Sequence, residues 1–329
     1  MTLGVGTRAD PFTPRPADRS TTPHRKAPMF ASGTVRLAAV PNAWVNDDLP
    51  ELGAGTSFEQ IISEMALAGY EGTELGSTYP TDAGTLKAAL DVRGLVPSGG
   101  WVSTWFASKG GAYEQTLQTF RDQIPFFNAI GLQDVYVAEV TGAVHQQPVP
   151  ALANRPVFDD AQWDDMIRGL GEMGRIAVDH GLRINYHHHT GTGVQSSDDI
   201  DRLMAGTVAG ETWLLLDTAH LLVGGGDPIE LLARHEGRIG HVHLKNLRQP
   251  VLDRMHQEAL SFWDALRQGI FTVPGDTEGC IDFAPLLQKL ADDGWAGWLV
   301  VEAEQDPAVA HPLEAFRLAR RHIADLTGL

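Results

Sequence analysis

Cysteine is nearly absent: Cys280 is the single one in 329 residues. It cannot close an intrachain disulfide or build a thiolate-rich metal site, as suits a reducing compartment. No apolar run approaches the roughly 18 residues of a membrane-spanning helix, and no signal-peptide apolar region stands near the N-terminus. Basic residues are scarce too. Twenty-five Lys and Arg against 42 Asp and Glu give a net charge of -17, which speaks against nucleic acid or anionic lipid as a partner. The expectation is a soluble cytoplasmic protein that meets neither nucleic acid nor membrane. An apolar fraction of 43% and a charged fraction of 20% leave ample material for a globular core.

Residues 1–33 carry Pro11, Pro14, Pro16, Pro23 and Pro28 without apolar periodicity, so a disordered or loosely attached extension is expected there. From Val35 onward, short β-prone runs alternate with segments whose apolar residues recur at helical spacing. Strands are expected at 35–41, 71–75, 95–102, 134–139, 182–188, 212–217, 239–245 and 298–302, each followed by a helix. Thr56 with Glu59 reads as a capping box for the first helix, and Ser196 or Ser197 as the cap of the one after 182–188. Apolar runs without alternation suit parallel strands covered on both sides. Eight such units in residues 34–329 predict an α/β protein with one closed (β/α)8 TIM barrel, active at the C-terminal ends of its strands. A doubly wound open sheet is the competing fold, but no G-x-G-x-x-G follows the first strand.

Polar residues collect where that barrel would place its active site. The run ending at 188 leads into His187, His188 and His189 and a Thr-Gly-Thr-Gly turn. If the strand persists, His187 and His189 share one face and His188 takes the other. Other strand ends carry Glu139, Asp217 with His220, His241 with His243 and Lys245, and Glu302 with Glu304. Each has a plainer reading: a helix cap for Asp217, satisfied core histidines, a rim salt bridge for the glutamates. Their common placement favours one site. A histidine and carboxylate set without thiolate suits Mn²⁺, Co²⁺, Fe²⁺ or Zn²⁺. An ion with an open position polarises a ketone and stabilises an enediolate, chemistry shared by isomerases, epimerases and dehydratases of hydroxy ketones.

The motifs Trp44-Val45-Asn46-Asp47-Asp48, Gly72-Thr73-Glu74-Leu75-Gly76, Tyr186-His187-His188-His189, Leu216-Asp217-Thr218-Ala219-His220, His241-Val242-His243-Leu244-Lys245, Phe271-Thr272-Val273-Pro274-Gly275-Asp276 and Val301-Glu302-Ala303-Glu304 occur in order at the strand ends. Together they resemble the inosose dehydratase family of the xylose-isomerase-like barrel superfamily, over residues 35–326. That resemblance implies dehydration of 2-keto-myo-inositol with Mn²⁺ or Co²⁺, and a link to glutathione. It also implies a metal held by Asp217, His243 and Glu302. The superfamily's strand-five glutamate is missing, its place falling within the histidine triplet, so His187, His189 or Glu139 is left to supply the fourth ligand. Glu139, His188, His220 and Lys245 are the candidates for proton transfer. Trp44, Asn46, Asp48, Glu74, His241, Asp276 and Glu304 are candidates for binding a cyclic keto-polyol, which needs hydrogen-bonding groups and a flat face. The alternatives are a keto-polyol isomerase or epimerase using the same site, and a non-catalytic polyol-binding barrel. Barrels of this kind pair through loops and outer helices, so a homo-oligomer is expected.

Overall fold

Strand–helix alternation produces a closed barrel. The computed structural model describes residues 28–329. Eight parallel strands run β1 (Val35–Ala39), β2 (Gly72–Glu74), β3 (Val96–Thr104), β4 (Asp134–Glu139), β5 (Arg183–His187), β6 (Thr212–Asp217), β7 (Ile239–Leu244) and β10 (Gly297–Val301). They are neighbours in sequence order, and β1 closes on β10 with Val35 opposite Gly297. Most of the expected extension lies outside the described residues. Its last residues are already docked: the Met29 amide donates to the Thr327 carbonyl at 2.7 Å and Phe30 is buried. The attached chain therefore starts before residue 34.

Side chains alternate between two environments. Val135, Val137, Ile184, Tyr186, Leu214, Leu216, Val242, Leu244, Leu299 and Val301 belong to the main core between strands and helices. The residues between them point into the barrel, and at the C-terminal ends these are the polar ones. That periodicity, rather than proximity in sequence, decides which strand-end residues meet.

Two local expectations change. The first helix (Phe58–Ala68) is capped by Ser57, whose hydroxyl accepts from the Gln60 amide, not by Thr56 with Glu59. Ser196 caps Ser197–Gly206 in a reciprocal box with Asp199. The excursion after β7 also acquires structure. A ribbon of β8 (Asn246–Leu247) and β9 (Phe271–Thr272) and helices Gln249–Gln257 and Phe262–Arg267 pack with Leu49, Ala151, Ala219 and Val223 into a second core. This core ties loops from four βα units together, and Arg267 reaches Glu51 at 2.8 Å. No helix among the described residues is long and apolar enough to cross a membrane.

Candidate metal centre and active site

Alternation brings His187 of β5, Asp217 of β6 and His243 of β7 to one point inside the barrel, with Glu302 immediately after β10. The Asp217 Oδ2 atom lies 3.6 Å from both His187 Nε2 and His243 Nδ1, and His243 Nδ1 is 2.6 Å from Glu302 Oε2. The two oxygens of Asp217 have separate tasks. Oδ1 accepts from the Ala219 and His220 amides and starts the helix Thr218–Val223, while Oδ2 is buried with no hydrogen-bond partner. Both ring nitrogens of His187 are likewise buried and unpartnered. Leaving such atoms unsatisfied is costly. His187, Asp217 and His243 each bring one metal-ligating atom to a shared volume, so the donor set fits a divalent cation.

The opposite nitrogen of His243 donates to Glu74 Oε1 at 2.9 Å, and His241 donates to the same oxygen at 3.1 Å. A carboxylate behind an imidazole fixes its orientation and raises its basicity. Burial opposes charge on His243, but Glu74 and Glu302 outweigh it and hold the imidazole well above its ordinary pKa. Burial also opposes charge on Asp217, yet His220 and His187 hold its carboxyl well below the usual range. The proton on His243 supplies positive charge where a cation would otherwise neutralise the carboxylates.

Lys245 sits beneath this point. It is fully buried, and its ammonium donates to His220 Nε2 at 3.0 Å, Glu302 Oε1 at 3.0 Å and the Glu304 carboxylate. On the other side of the ring, His220 Nδ1 lies 2.9 Å from Thr190 Oγ1 and 3.4 Å from the Thr190 amide nitrogen. Burial works against the lysine's charge, but Glu302 and Glu304 raise its pKa further than burial lowers it. All three protons of Lys245 are engaged and it does not line the cavity. It therefore positions Glu302 and Glu304, and neither Lys245 nor His220, both expected as proton-transfer candidates, lines the cavity.

His188 also departs from its expected role. It faces away from the cavity, its Nε2 accepts from the Asp217 amide at 3.3 Å, and burial pushes its imidazole down to about 3. Glu139 shares the parity of Val135 and Val137 and so points toward the helices. Its carboxylate accepts from Thr104 Oγ1 at 2.9 Å, the Phe106 amide at 2.8 Å and Thr141 Oγ1 at 2.5 Å. Glu139 thus organises the loop after β3 and, although expected as a base or ligand, does not line the cavity. Trp44 is buried against Phe316 and donates to Glu64 at 2.7 Å. Asn46 accepts from the Asp48 and Leu49 amides, and Asp276 from Arg248 and Thr272. These three build loops and do not line the cavity.

A cavity of about 970 Å³ opens above the cluster, and Asp48, Glu74, His187, His189, His243, Glu302 and Glu304 reach it. Asn42, Trp101, Tyr136 and His145 reach it as well, though sequence reasoning singled out none of them. Tyr136 and Trp101 lie inside strands otherwise read as core, and only their even or odd position distinguishes them. His145 lies six residues past the end of β4, where nothing in the sequence marks it. Its segment is held against the turn after the triplet, since the Val144 amide donates to the Gly191 carbonyl at 2.9 Å. Gly191 has φ +79, and a Cβ there would stand 3.0 Å from the His145 amide nitrogen. Gly191→Ala is therefore expected to destabilise the fold by about 1–2 kcal/mol, read as a lower denaturant midpoint with an unchanged slope.

Residues 51–326 match the family model described as xylose isomerase-like TIM barrel. The chain is 44% identical to the inosose dehydratase of Geobacillus thermodenitrificans over 302 residues, covering 92% of this chain and 100% of that relative. It is 42% identical to the inosose dehydratase of Klebsiella pneumoniae over 299 residues, covering 90% and 98%. Among solved structures, the IolI protein with a bound zinc atom superposes with a TM-score of 0.66 at 15% identity, covering 89% of this chain and 98% of that one. At that identity the likeness is one of fold.

Proposed function

The chain belongs to the inosose dehydratases of the xylose isomerase-like TIM-barrel family, and from that premise we infer that inosose is bound and dehydrated above His187, Asp217, His243 and Glu302. The protein is a hydro-lyase of inositol catabolism, removing water from 2-keto-myo-inositol. The observation that carries the site assignment is the pair of unpartnered buried atoms facing each other, Asp217 Oδ2 and His187 Nε2. We assign the ion as Mn²⁺ or Co²⁺, with His187 in place of the superfamily's glutamate. Zn²⁺ and Fe²⁺ suit the same donors. When bound, the cation supplies Lewis-acid polarisation of the ketone, which acidifies the adjacent C–H.

The remaining steps fall to side chains. Glu74 keeps His243 oriented, and Lys245 keeps Glu302 and Glu304 in place. His189 faces the cavity, and its Nδ1 lies 2.9 Å from the Thr190 carbonyl oxygen. A carbonyl can only accept, so the proton is on Nδ1 and the lone pair of Nε2 is left free. On this ground we assign His189 as the base that removes the α-proton. Hydroxide leaves poorly without a proton, and the imidazolium formed at His189 returns one to the β-hydroxyl on the same ring face. Asp48 and Glu304 offer carboxylate oxygens to the remaining hydroxyls.

The test offers 2-keto-myo-inositol to metal-stripped protein, with Mn²⁺, Co²⁺, Zn²⁺ or nothing added back, and follows ultraviolet absorbance of the enolised dione. Turnover that returns with an ion is the expected result. Solvent deuterium entering the α-carbon without any dione would move the function to an isomerase or epimerase. His189→Gln is expected to lower kcat by about 10²–10⁴ while KM and metal content hold. An unchanged kcat would remove His189 from the chemistry.

A further inference from the structure

We propose that Trp101 selects which inosose the cavity accepts, by laying its indole against the apolar C–H face of a ring whose hydroxyls are all equatorial. The inference rests on the dehydratase reading and names the stereochemistry of its substrate.

Trp101 occupies an inward position of β3, two residues from Gly99 and from Ser103, yet 37% of its surface is uncovered. That surface opens onto the cavity. Its ring centroid is 5.6 Å from that of His187 and 6.3 Å from that of His189, with the ring planes nearly perpendicular at 80° and 79°. The indole therefore stands beside both the metal cluster and the base. Its one polar atom is already satisfied, since Nε1 donates to Ser103 Oγ at 2.8 Å. What remains for a ligand is aromatic carbon.

The ring is also held from within the barrel. Tyr136 packs against it edge-on at 6.3 Å. Tyr136 has that room because residue 99 is glycine: a Cβ there would fall 2.3 Å from Tyr136 Cε1. A large aromatic surface left uncovered on the wall of a cavity and backed by a second ring is arranged for a partner with an apolar face.

A cyclohexane polyol with only equatorial hydroxyls is such a partner. Its rim is polar and its two faces present axial C–H bonds. In 2-keto-myo-inositol the carbon that carried the axial hydroxyl of myo-inositol has become the ketone, so the five remaining hydroxyls are equatorial. With one face on Trp101, the rim meets Asp48 and Glu304, and an axial α C–H of the ring is presented to His189. An isomer with an axial hydroxyl aimed at the indole would bury that hydroxyl without a partner, which is unfavourable.

The experiment compares wild type, Trp101→Phe and Trp101→Ala on 2-keto-myo-inositol and on 1-keto-myo-inositol, which retains the axial hydroxyl. Wild type is expected to favour the first ketone in kcat/KM by about tenfold to a hundredfold. Trp101→Ala is expected to lose most of that ratio through KM, with kcat changed less and metal content unchanged, and Trp101→Phe to keep most of it. Equal ratios in wild type and Trp101→Ala would overturn the proposal. Calorimetric binding of scyllo-inositol against myo-inositol reads the same contact without chemistry. A preference for the all-equatorial ring that disappears in Trp101→Ala supports the proposal even if neither ketone is dehydrated, an outcome that would count against the dehydratase reading alone. No preference in wild type would sink it.

Discussion

Asp217→Asn is expected to leave a folded protein with dehydratase activity reduced by about a thousandfold or more. The substitution separates the two tasks of one side chain. Asparagine keeps a carbonyl oxygen for the Ala219 and His220 amides, and it caps helices as well as aspartate does. It replaces the other oxygen, the one facing His187 and His243, with an NH₂ group that cannot ligate a cation. Equilibrium dialysis against Mn²⁺ or Co²⁺ should show the loss of tight binding, while the denaturation midpoint of metal-free protein changes little. Full activity with full metal content would remove Asp217 from the site.

Lys245→Met is expected to lower the stability of metal-free protein by about 3–5 kcal/mol, the range for breaking a buried ion pair on one side only. Methionine fills similar volume but leaves the Glu302 and Glu304 carboxylates, both buried, without their cation. Burial opposes charge on the Glu304 carboxyl, and Lys245 is the main influence that keeps it ionised. Removing the lysine therefore favours protonation of Glu304 and loosens Glu302. Denaturant titration checks the stability. A loss below about 1 kcal/mol, the size seen for exposed pairs, would show that the network is not held by Lys245.

The barrel was legible in the residues because parallel strands covered on both faces must be apolar runs, and their spacing with helical segments is regular. The polar residues at the strand ends were legible for the same reason, since they interrupt those runs. Strand-end position alone did not distinguish lining from loop-building residues. Glu139 and Asp217 each close a strand as its last residue. The first shares the parity of Val135 and Val137 and turns to the helices, whereas the second is out of step with Leu214 and Leu216 and turns inward. Lys245 looked like a proton donor because the sequence does not reveal that Glu302, Glu304 and His220 use all of its protons.

The sequence by itself determined the fold class, the family and the pool of residues from which a site is drawn, because burial periodicity and strand-end chemistry are local properties of the chain. Tertiary structure decided membership of the site. It chose His187 over Glu139 for the volume shared with Asp217, His243 and Glu302, and brought His145 and Trp101 to the cavity from stretches with no mark of their own. The reason is geometric: ligand and proton-transfer roles depend on direction and on unfilled hydrogen-bonding capacity, and both are settled only when strands far apart in sequence close around one axis.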